Sequence, residues 1–164
     1  MSDEIFATRF QTPVGPLMLV ATEAGLSGLY FEDHSHPFEG DPTFVEASDS
    51  RFAPTVVWLS HYFDRGERKS LPDIDLSGGT DFQRRVWGEL ENIPEGETTT
   101  YAEIARKIGS PKGVRAVGAA VGKNPISILL PCHRVVGSDG SLTGFAGGIE
   151  RKRWLLVHEK ILRL

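Results

Sequence analysis

The chain has 164 residues, of which 40% are apolar and 24% are charged, so it has room for one ordinary domain or two small ones. It contains no run of 18 apolar residues, so we expect no membrane span. The N-terminal residues do not show a basic segment followed by an apolar one, so we expect no secretory signal and place the protein in the cytoplasm. The single cysteine, Cys132, excludes an internal disulfide and a cysteine-rich zinc site.

The net charge of −4 is unevenly distributed along the chain. Residues 1–78 carry 5 basic and 13 acidic side chains, a net −8, whereas residues 79–164 carry 13 basic and 9 acidic side chains, a net +4. A basic half within an acidic chain favours a polyanionic partner such as nucleic acid.

The first half begins with three predicted strands and then turns helical. Residues 32–51 are polar and rich in Pro, Asp and Ser, which predicts a loop with room for a short helix. Apolar residues at helical spacing predict a helix over Val56–Phe63. The turn-rich segment Gly66–Gly79 coincides with the change in charge, so we place a domain boundary there, between domains 1–78 and 79–164. The predicted strands are Ile5–Phe10, Leu17–Ala21 and Leu26–Phe31.

Helices are predicted for most of the second half. Thr80 or Asp81 can cap a helix that ends near Asn92, with Phe82, Val86, Trp87 and Leu90 on one face. A final helix is predicted from Glu150 to Ile161, with a buried side that includes Trp154, Leu155, Val157 and Ile161.

Two further short helices form a helix-turn-helix pattern. Thr100 can cap a helix over Tyr101–Ile108, and Gly109 can end it. The tight turn Ser110–Gly113 then leads into a helix of small residues over Val114–Gly122. This arrangement favours DNA binding.

Cys132 follows a short apolar segment, Ile126–Leu130. A free thiol has a pKa of about 8.5 and attacks as the thiolate, so a nucleophilic cysteine needs a nearby base or a positive field. The base could be His133 acting through a water, which we favour, or His158 from the last helix. Otherwise a lone cysteine is usually a small buried apolar residue.

Five segments resemble the O6-alkylguanine-DNA alkyltransferases, also called methylated-DNA–protein-cysteine methyltransferases. Pro131–Val135 is similar to the active-site signature of that family, and the other segments agree in order and spacing. The resemblance covers residues 80–160, whereas residues 1–78 match loosely, in length and in a strand-rich start. The other four segments are Asp81–Trp87, Ile93–Thr98 with Tyr101, Arg115–Gly118 through Pro125, and Gly144–Gly148 with Lys152 and Glu159.

The resemblance implies a fold and a function. The fold is α/β (α+β), with an N-terminal ribonuclease-H-like sheet-plus-helix domain and a C-terminal, mostly helical, winged helix-turn-helix domain. The function is direct-reversal DNA repair, in which the alkyl group of O6-alkylguanine passes irreversibly and stoichiometrically to Cys132 after base flipping. We expect no cofactor or metal, and a monomer that binds double-stranded DNA containing the lesion. Activity on O4-alkylthymine and cooperative binding on DNA stay open.

The resemblance also assigns catalytic roles. Cys132 is the alkyl acceptor, Glu159 orients His133, and His133 draws the thiol proton through a water. Tyr101 donates a proton toward the guanine ring and contacts the flipped nucleotide. Arg115 enters the base stack where the flipped base has left it.

Further residues are implied in DNA binding and in the substrate pocket. Ala120 belongs to the small residues that let the helix approach the minor groove closely. Asn124 ties that helix to the strand that carries Cys132, and Lys152 lies near the pocket. Backbone groups of Val135 and of the loop Phe145, Ala146 and Gly147 read the flipped base. The other residues implied in DNA contact are Ala116, Gly118, Ala119 and Lys123.

Two departures from the family pattern bear on base recognition. Many members have Tyr where this chain has Phe145, and often Ser where it has Ala146, so two hydroxyl groups are missing. Three rival functions remain: an alkyltransferase-like protein that flags damage, although such proteins lack the acceptor cysteine; a transcription regulator; and a cysteine hydrolase. A metal site in Glu32–His36 is disfavoured because no second ligand cluster accompanies it.

Overall fold

The structure is a computed structural model, and it describes residues 4–65 and 70–163. The chain divides after Leu76 into two compact units, two residues before the predicted boundary. Residues 66–69 of the predicted boundary segment lie outside the described residues. The elements of the first unit are β1 (Phe6–Thr12), β2 (Gly15–Thr22), β3 (Gly25–Phe31), β4 (Thr43–Phe44) and α1 (Ala53–Phe63). Those of the second are α2 (Asp81–Glu91), β5 (Thr99–Thr100), α3 (Tyr101–Lys107), α4 (Val114–Gly122), β6 (Val135–Val136) and α5 (Ile149–His158).

The first unit is built on a four-stranded sheet with the order β3-β2-β1-β4. The pairs β1–β2 and β2–β3 are antiparallel, and β4 lies parallel to β1. The three long strands confirm the prediction, each with one or more additional residues. Where a short helix was considered within residues 32–51, the structure has the short strand β4 instead, because this segment adds to the free edge of β1.

The sheet and α1 bury an apolar core. Leu19, Leu29 and Leu59 are fully buried, and Phe52 directly before α1 is buried as well. The helix begins at Ala53, three residues earlier than predicted, because Pro54 is tolerated in the first helical turn, where its missing N–H has no partner to lose.

A glycine lets the end of the first unit pack against its sheet. Gly25 has φ +146°, and a Cβ there would lie 2.5 Å from the carbonyl oxygen of Asp73. The amide of Leu26 donates to that same oxygen at 2.9 Å, and the amide of Asp75 donates to the Leu26 oxygen at 2.7 Å. Residues 73–75 therefore extend along β3 in a space that a side chain would fill.

Helices α2 and α3 begin at the predicted caps. The Thr80 hydroxyl accepts from the amide of Gln83 at 3.1 Å, and the Gln83 side chain accepts from the amide of Thr80 at 2.9 Å, which completes a capping box. The Thr100 hydroxyl caps α3 by accepting from the amide of Glu103 at 3.1 Å. Gly109 follows α3 with φ +78°, as expected of a residue that ends a helix.

The three helices α2, α3 and α4 share one core. Val86, Ile104 and Val117 are almost completely buried between them. The indole N–H of Trp87 donates to the carbonyl oxygen of Ala120 at 2.8 Å, so α2 is fixed to the last turn of α4. The predicted helix-turn-helix is confirmed, with α3 and α4 as its two helices.

Two very short strands, which the sequence did not predict, join distant parts of the second unit. Thr99 pairs with Val135 and Thr100 with Val136 in a parallel ladder between β5 and β6. Tyr101 follows β5 directly, and the turn that contains Cys132 directly precedes β6. The ladder therefore brings the start of α3 beside that turn.

The buried side of α5 agrees only in part with the prediction. Leu155 is buried as predicted, and Lys152 and Leu156 are buried as well, whereas Trp154 and Val157 are half-buried. Ile161 lies beyond the end of α5 and is half-buried. Periodicity alone favoured the bulkier apolar residues, but the side of the helix that carries Lys152 faces the core. Among the described residues, no helix is long and apolar enough to cross a membrane.

Candidate active site and nucleic-acid interface

Cys132 lies in a buried 3-10 turn and not in a strand. The turn spans Cys132–Arg134, and β6 follows it. The amide of Cys132 donates to the Leu130 oxygen at 2.7 Å, and the Ser127 hydroxyl lies 3.9 Å from the sulfur. Pro131 before the turn has φ −78° and ψ 66°, which is outside the strand region and explains why the strand begins only at Val135.

Asn124 links the end of α4 to the segment before Cys132. Its side-chain NH2 donates to the Leu130 oxygen at 2.8 Å, and its side-chain oxygen accepts from the amide of Ile126 at 3.0 Å. Both ends of this amide are therefore satisfied in a buried place. Asn124 therefore ties α4 to the apolar segment Ile126–Leu130 before Cys132. It does not tie α4 to a strand that carries Cys132, because Cys132 lies in a 3-10 turn.

The thiol is protected from water and surrounded by polar groups. Cys132 is only 5% exposed. Burial raises the pKa of its thiol, while Asn124, Ser127 and the charge of Lys152 act to lower it. The neutral thiol is therefore the resting form, and a base is needed to ionise it.

His133, Arg134 and Glu159 form a buried network next to the cysteine. The Nε2 atom of His133 lies 2.5 Å from one carboxylate oxygen of Glu159. Arg134 donates from Nε to the other oxygen at 2.7 Å and from Nη1 to the Ile93 carbonyl oxygen at 2.7 Å. The carboxylate of Glu159 thus contacts both His133 and Arg134. Arg134 is also held at Ile93, which lies just after the end of α2.

The charges in this network follow from its contacts. Burial by itself would raise the pKa of Glu159, but the hydrogen bonds and charges of His133 and Arg134 outweigh it and lower the pKa to about 2. Burial lowers the pKa of His133 despite the opposing hydrogen bond with Glu159. An ionised carboxylate can only accept, so a neutral His133 donates from Nε2 and keeps an unprotonated Nδ1.

The Nδ1 atom of His133 is buried and has no hydrogen-bond partner within the described part of the chain. A buried lone pair without a partner is costly in a folded protein and commonly marks a position for a water or a reacting group. His158, the alternative base, is instead stacked on Trp154, with the ring centroids 4.8 Å apart.

Lys152 is completely buried at the centre of the second unit. Its ammonium donates to the Val135 oxygen at 2.7 Å and to the Thr143 oxygen at 3.3 Å. Burial lowers its pKa to about 8, against the opposing charge interaction with Cys132. The Val135 carbonyl, expected to read a base, is therefore already paired with Lys152, and the Val135 amide donates to the Cys132 oxygen.

Tyr101 reaches the same region from the start of α3. Its hydroxyl oxygen lies 2.5 Å from Oγ1 of Thr143. Burial raises the pKa of Tyr101, and the charge interaction with Cys132 acts in the same direction. On its other side, Tyr101 Cδ1 lies 3.8 Å from the position that a Cβ on Gly118 would take. Tyr101 thus connects the cysteine region with α4.

The outward side of α4 carries the residues expected to contact DNA. Arg115, Ala116, Ala119 and Lys123 are exposed, and Gly118 is half-buried. The opposite side, with Val117, Ala120 and Val121, packs into the core. Ala120 is therefore a core residue, which corrects the expectation that it faces a DNA groove.

The loop before α5 combines a half-buried Phe145 with buried Ala146 and Gly147. Arg151, in the first turn of α5, donates to the Gly147 oxygen at 3.0 Å. The loop is thus held at Gly147 by Arg151 and at Thr143 by Lys152. Within residues 4–65 and 70–163, no group of three or more His, Cys, Asp or Glu side chains is placed to hold a metal ion.

Sequence reasoning missed three residues of this site. Arg134 lies within the signature segment Pro131–Val135 and was assigned no role, although an arginine whose own charge is buried needs a carboxylate partner. Ser127 and Thr143 gave no signal, because their contacts depend on how the chain turns between elements.

Comparison with known proteins gives two family models that together match almost the whole chain. Residues 81–161 match the DNA-binding domain of 6-O-methylguanine DNA methyltransferase. Residues 5–77 match the ribonuclease-like domain of the same family.

Individual relatives agree over most of their length. A methylated-DNA–protein-cysteine methyltransferase of Methanosarcina acetivorans is 45% identical over 151 residues, which is 92% of this chain and 95% of the relative. That of Haemophilus influenzae is 40% identical and covers 96% of this chain and 87% of its own length. A crystal structure of Mycobacterium tuberculosis OGT in complex with DNA has a TM-score of 0.86 and 42% identity, covering 94% of this chain and 92% of the other.

Proposed function

This chain belongs to the 6-O-methylguanine DNA methyltransferase family, and we propose that Cys132 is the residue on which it accepts the alkyl group. Its function is direct-reversal DNA repair, in which the alkyl group of O6-alkylguanine in DNA is transferred to a cysteine of the protein. One observation carries the assignment of the acceptor: the sequence has a single cysteine, and it lies in the polar, buried site described above.

The thiol proton leaves through His133. Because Glu159 accepts from Nε2, the unpaired Nδ1 is the basic atom, and a water bridging it to the sulfur would relay the proton. The positive charge of Lys152 then stabilises the thiolate. It lowers the pKa of the thiol, against the effect of burial, which raises it. The sulfur attacks the alkyl carbon, the bond from that carbon to guanine O6 breaks, and its electron pair leaves with guanine.

The leaving guanine takes up one proton, so that the thiol loses a proton and the base gains one. Tyr101 is the donor in this proposal, because its hydroxyl lies beside the cysteine region and burial raises its pKa, which keeps it protonated at neutral pH. The thioether that forms is stable, and the described site holds no second thiol to remove the alkyl group. Each molecule therefore acts once.

The exposed side of α4 is the DNA-binding surface. Ala116 and Ala119 keep this surface low enough for the phosphate backbones to approach, and Arg115 and Lys123 supply positive charge. Arg115 fills the position of the flipped base. Since Phe145 and Ala146 offer no hydroxyl to the base, backbone groups of their loop provide the polar contacts.

We further propose that the protein acts as a monomer in the cytoplasm. The reaction needs a free thiol together with DNA, and a reducing compartment that contains DNA provides both. Size-exclusion chromatography with light scattering, with and without duplex DNA, measures the monomer directly.

Mass spectrometry of the intact protein tests the acceptor. After incubation with a duplex that contains one O6-methylguanine, the protein is expected to gain one methyl mass, located on the peptide with Cys132. The same duplex with unmodified guanine is the control and adds nothing. Cys132→Ser is expected to abolish transfer and retain DNA binding. A methyl group on any other residue, or unchanged protein beside demethylated DNA, contradicts the assignment.

A further inference from the structure

Thr143 contacts two groups of the site through different atoms. Its side-chain oxygen lies 2.5 Å from the Tyr101 hydroxyl, and its carbonyl oxygen accepts from the ammonium of Lys152 at 3.3 Å. Lys152 is itself anchored to the Val135 oxygen at 2.7 Å. The backbone at residue 143 is thus held by a buried cation, and the side chain presents its hydroxyl to the phenol.

We propose that Thr143 is a positioning residue for Tyr101, which holds the phenol hydroxyl in place and then stabilises the phenolate oxygen when the proton passes to the departing guanine. This inference rests on the proposed role of Tyr101 as proton donor.

A threonine hydroxyl suits both stages because it is a donor and an acceptor on one rotatable bond. Before transfer, the Thr143 oxygen can accept from the Tyr101 hydroxyl. When the O–H bond of Tyr101 breaks and its proton joins guanine, the Thr143 hydroxyl turns and donates to the phenolate, without losing its own proton. A half-buried phenolate is only partly solvated, so this donor matters most while the charge is present.

The hydrogen-bond partner of the phenol is itself held in place. The β-branched side chain of Thr143 has few rotamers, and Lys152 holds its backbone. The ring lies near α4, since a Cβ on Gly118 would meet Tyr101 Cδ1 at 3.8 Å, but glycine leaves that space open. The contact with Thr143 is therefore the hydrogen bond that positions the Tyr101 hydroxyl.

Single-turnover methyl transfer tests the proposal with Thr143→Val, Thr143→Ser and Tyr101→Phe. Valine preserves the shape and the backbone contact with Lys152 and removes only the hydroxyl. We expect Thr143→Val to be about tenfold slower, Thr143→Ser to stay within about twofold of wild type, and Tyr101→Phe to be about a hundredfold slower. The double variant Tyr101→Phe/Thr143→Val is expected to match Tyr101→Phe alone, since the hydroxyl of residue 143 acts through the phenol.

Methylation by methyl iodide separates positioning from general damage to the site. Iodide leaves without a proton, so Thr143→Val is expected to react with methyl iodide at the wild-type rate while it remains slow with O6-methylguanine DNA. Equal slowing with both reagents, wild-type transfer from DNA, or additive losses in the double variant would each overturn the proposal. If wild-type protein demethylates DNA without gaining mass on Cys132, the proposed function itself fails, whatever residue 143 does.

Discussion

The two compact units bury different chemistry. Within residues 4–65 and 70–163, the polar side chains buried in the first unit are two threonines, Thr8 and Thr55. The second unit buries an asparagine, a serine and four ionisable side chains besides the cysteine. Those four are His133, Arg134, Lys152 and Glu159.

This difference separates stability from reactivity. An apolar core tolerates changes of side chain as long as its volume is filled, whereas each buried charge depends on a particular partner. The first unit can therefore be stabilised or weakened without altering the chemistry of alkyl transfer. In the second unit, the same groups that react also hold the fold together.

Breaking the ion pair between Arg134 and Glu159 gives the largest expected effect. Arg134→Met leaves a buried carboxylate without its cation, and should lower the free energy of unfolding by about 3–5 kcal/mol. Transfer should slow by about a hundredfold, because a Glu159 without its cation is more easily protonated from solvent. The protonated carboxyl then donates to Nε2 of His133 and leaves the histidine proton on Nδ1, the atom that must act as the base. Urea unfolding and single-turnover kinetics measure the two effects.

A second variant distinguishes the two roles of this pair. Arg134→Met/Glu159→Leu removes both charges and should recover much of the lost stability, since an apolar pair often replaces a buried ion pair without loss. Its transfer rate should stay low. Recovery of the rate together with stability would contradict a role for the carboxylate in orienting His133.

A cavity in the first unit provides the matched comparison. Leu29→Ala removes a fully buried side chain and should lower the free energy of unfolding by about 2–4 kcal/mol. The rate constant of transfer, normalised to folded protein, should equal that of wild type. A slower rate per folded molecule would show that the first unit takes part in the chemistry.

Acid should weaken the protein through Glu159. Its pKa is lowered to about 2 in the folded state, so the stability it contributes is complete above its unfolded pKa of about 4.3 and is lost as the pH falls toward 2. The loss over this range should reach at most about 3 kcal/mol. Glu159→Gln, unfolded in urea at each pH, should show a shallower decline than wild type, and parallel curves would rule out this carboxylate as the cause.

Much of the fold followed from local patterns. The three long strands, the capped helix α2 and the pair α3 and α4 were predicted because alternation, helical spacing and caps are properties of a few neighbouring residues. The short strands β4, β5 and β6 were not predicted, because a segment of two residues is too short to show an alternating pattern. They exist only through pairing with distant segments.

The same distinction applies to the site. Cys132, His133 and Glu159 were proposed from the resemblance to the family, and the structure places the last two in contact. Arg134 and Thr143 act through contacts 25 and 42 residues away along the chain, which spacing alone does not disclose. The buried side of α5 was predicted only in part, at Leu155, because a lysine such as Lys152 is normally expected on the outside of a helix.

The alignment of the site depends on the register of the short ladder between β5 and β6 and not on the number of residues between the two strands. Two residue pairs set where the phenol of Tyr101 stands relative to the turn of Cys132, while 31 positions separate those two residues in the chain. Lengthening the exposed turn around Gly140, which follows β6, leaves this alignment intact, whereas one residue inserted between Thr100 and Tyr101 rotates the aromatic ring out of line. Natural insertions and engineered peptide tags should therefore collect at that turn and avoid the ladder.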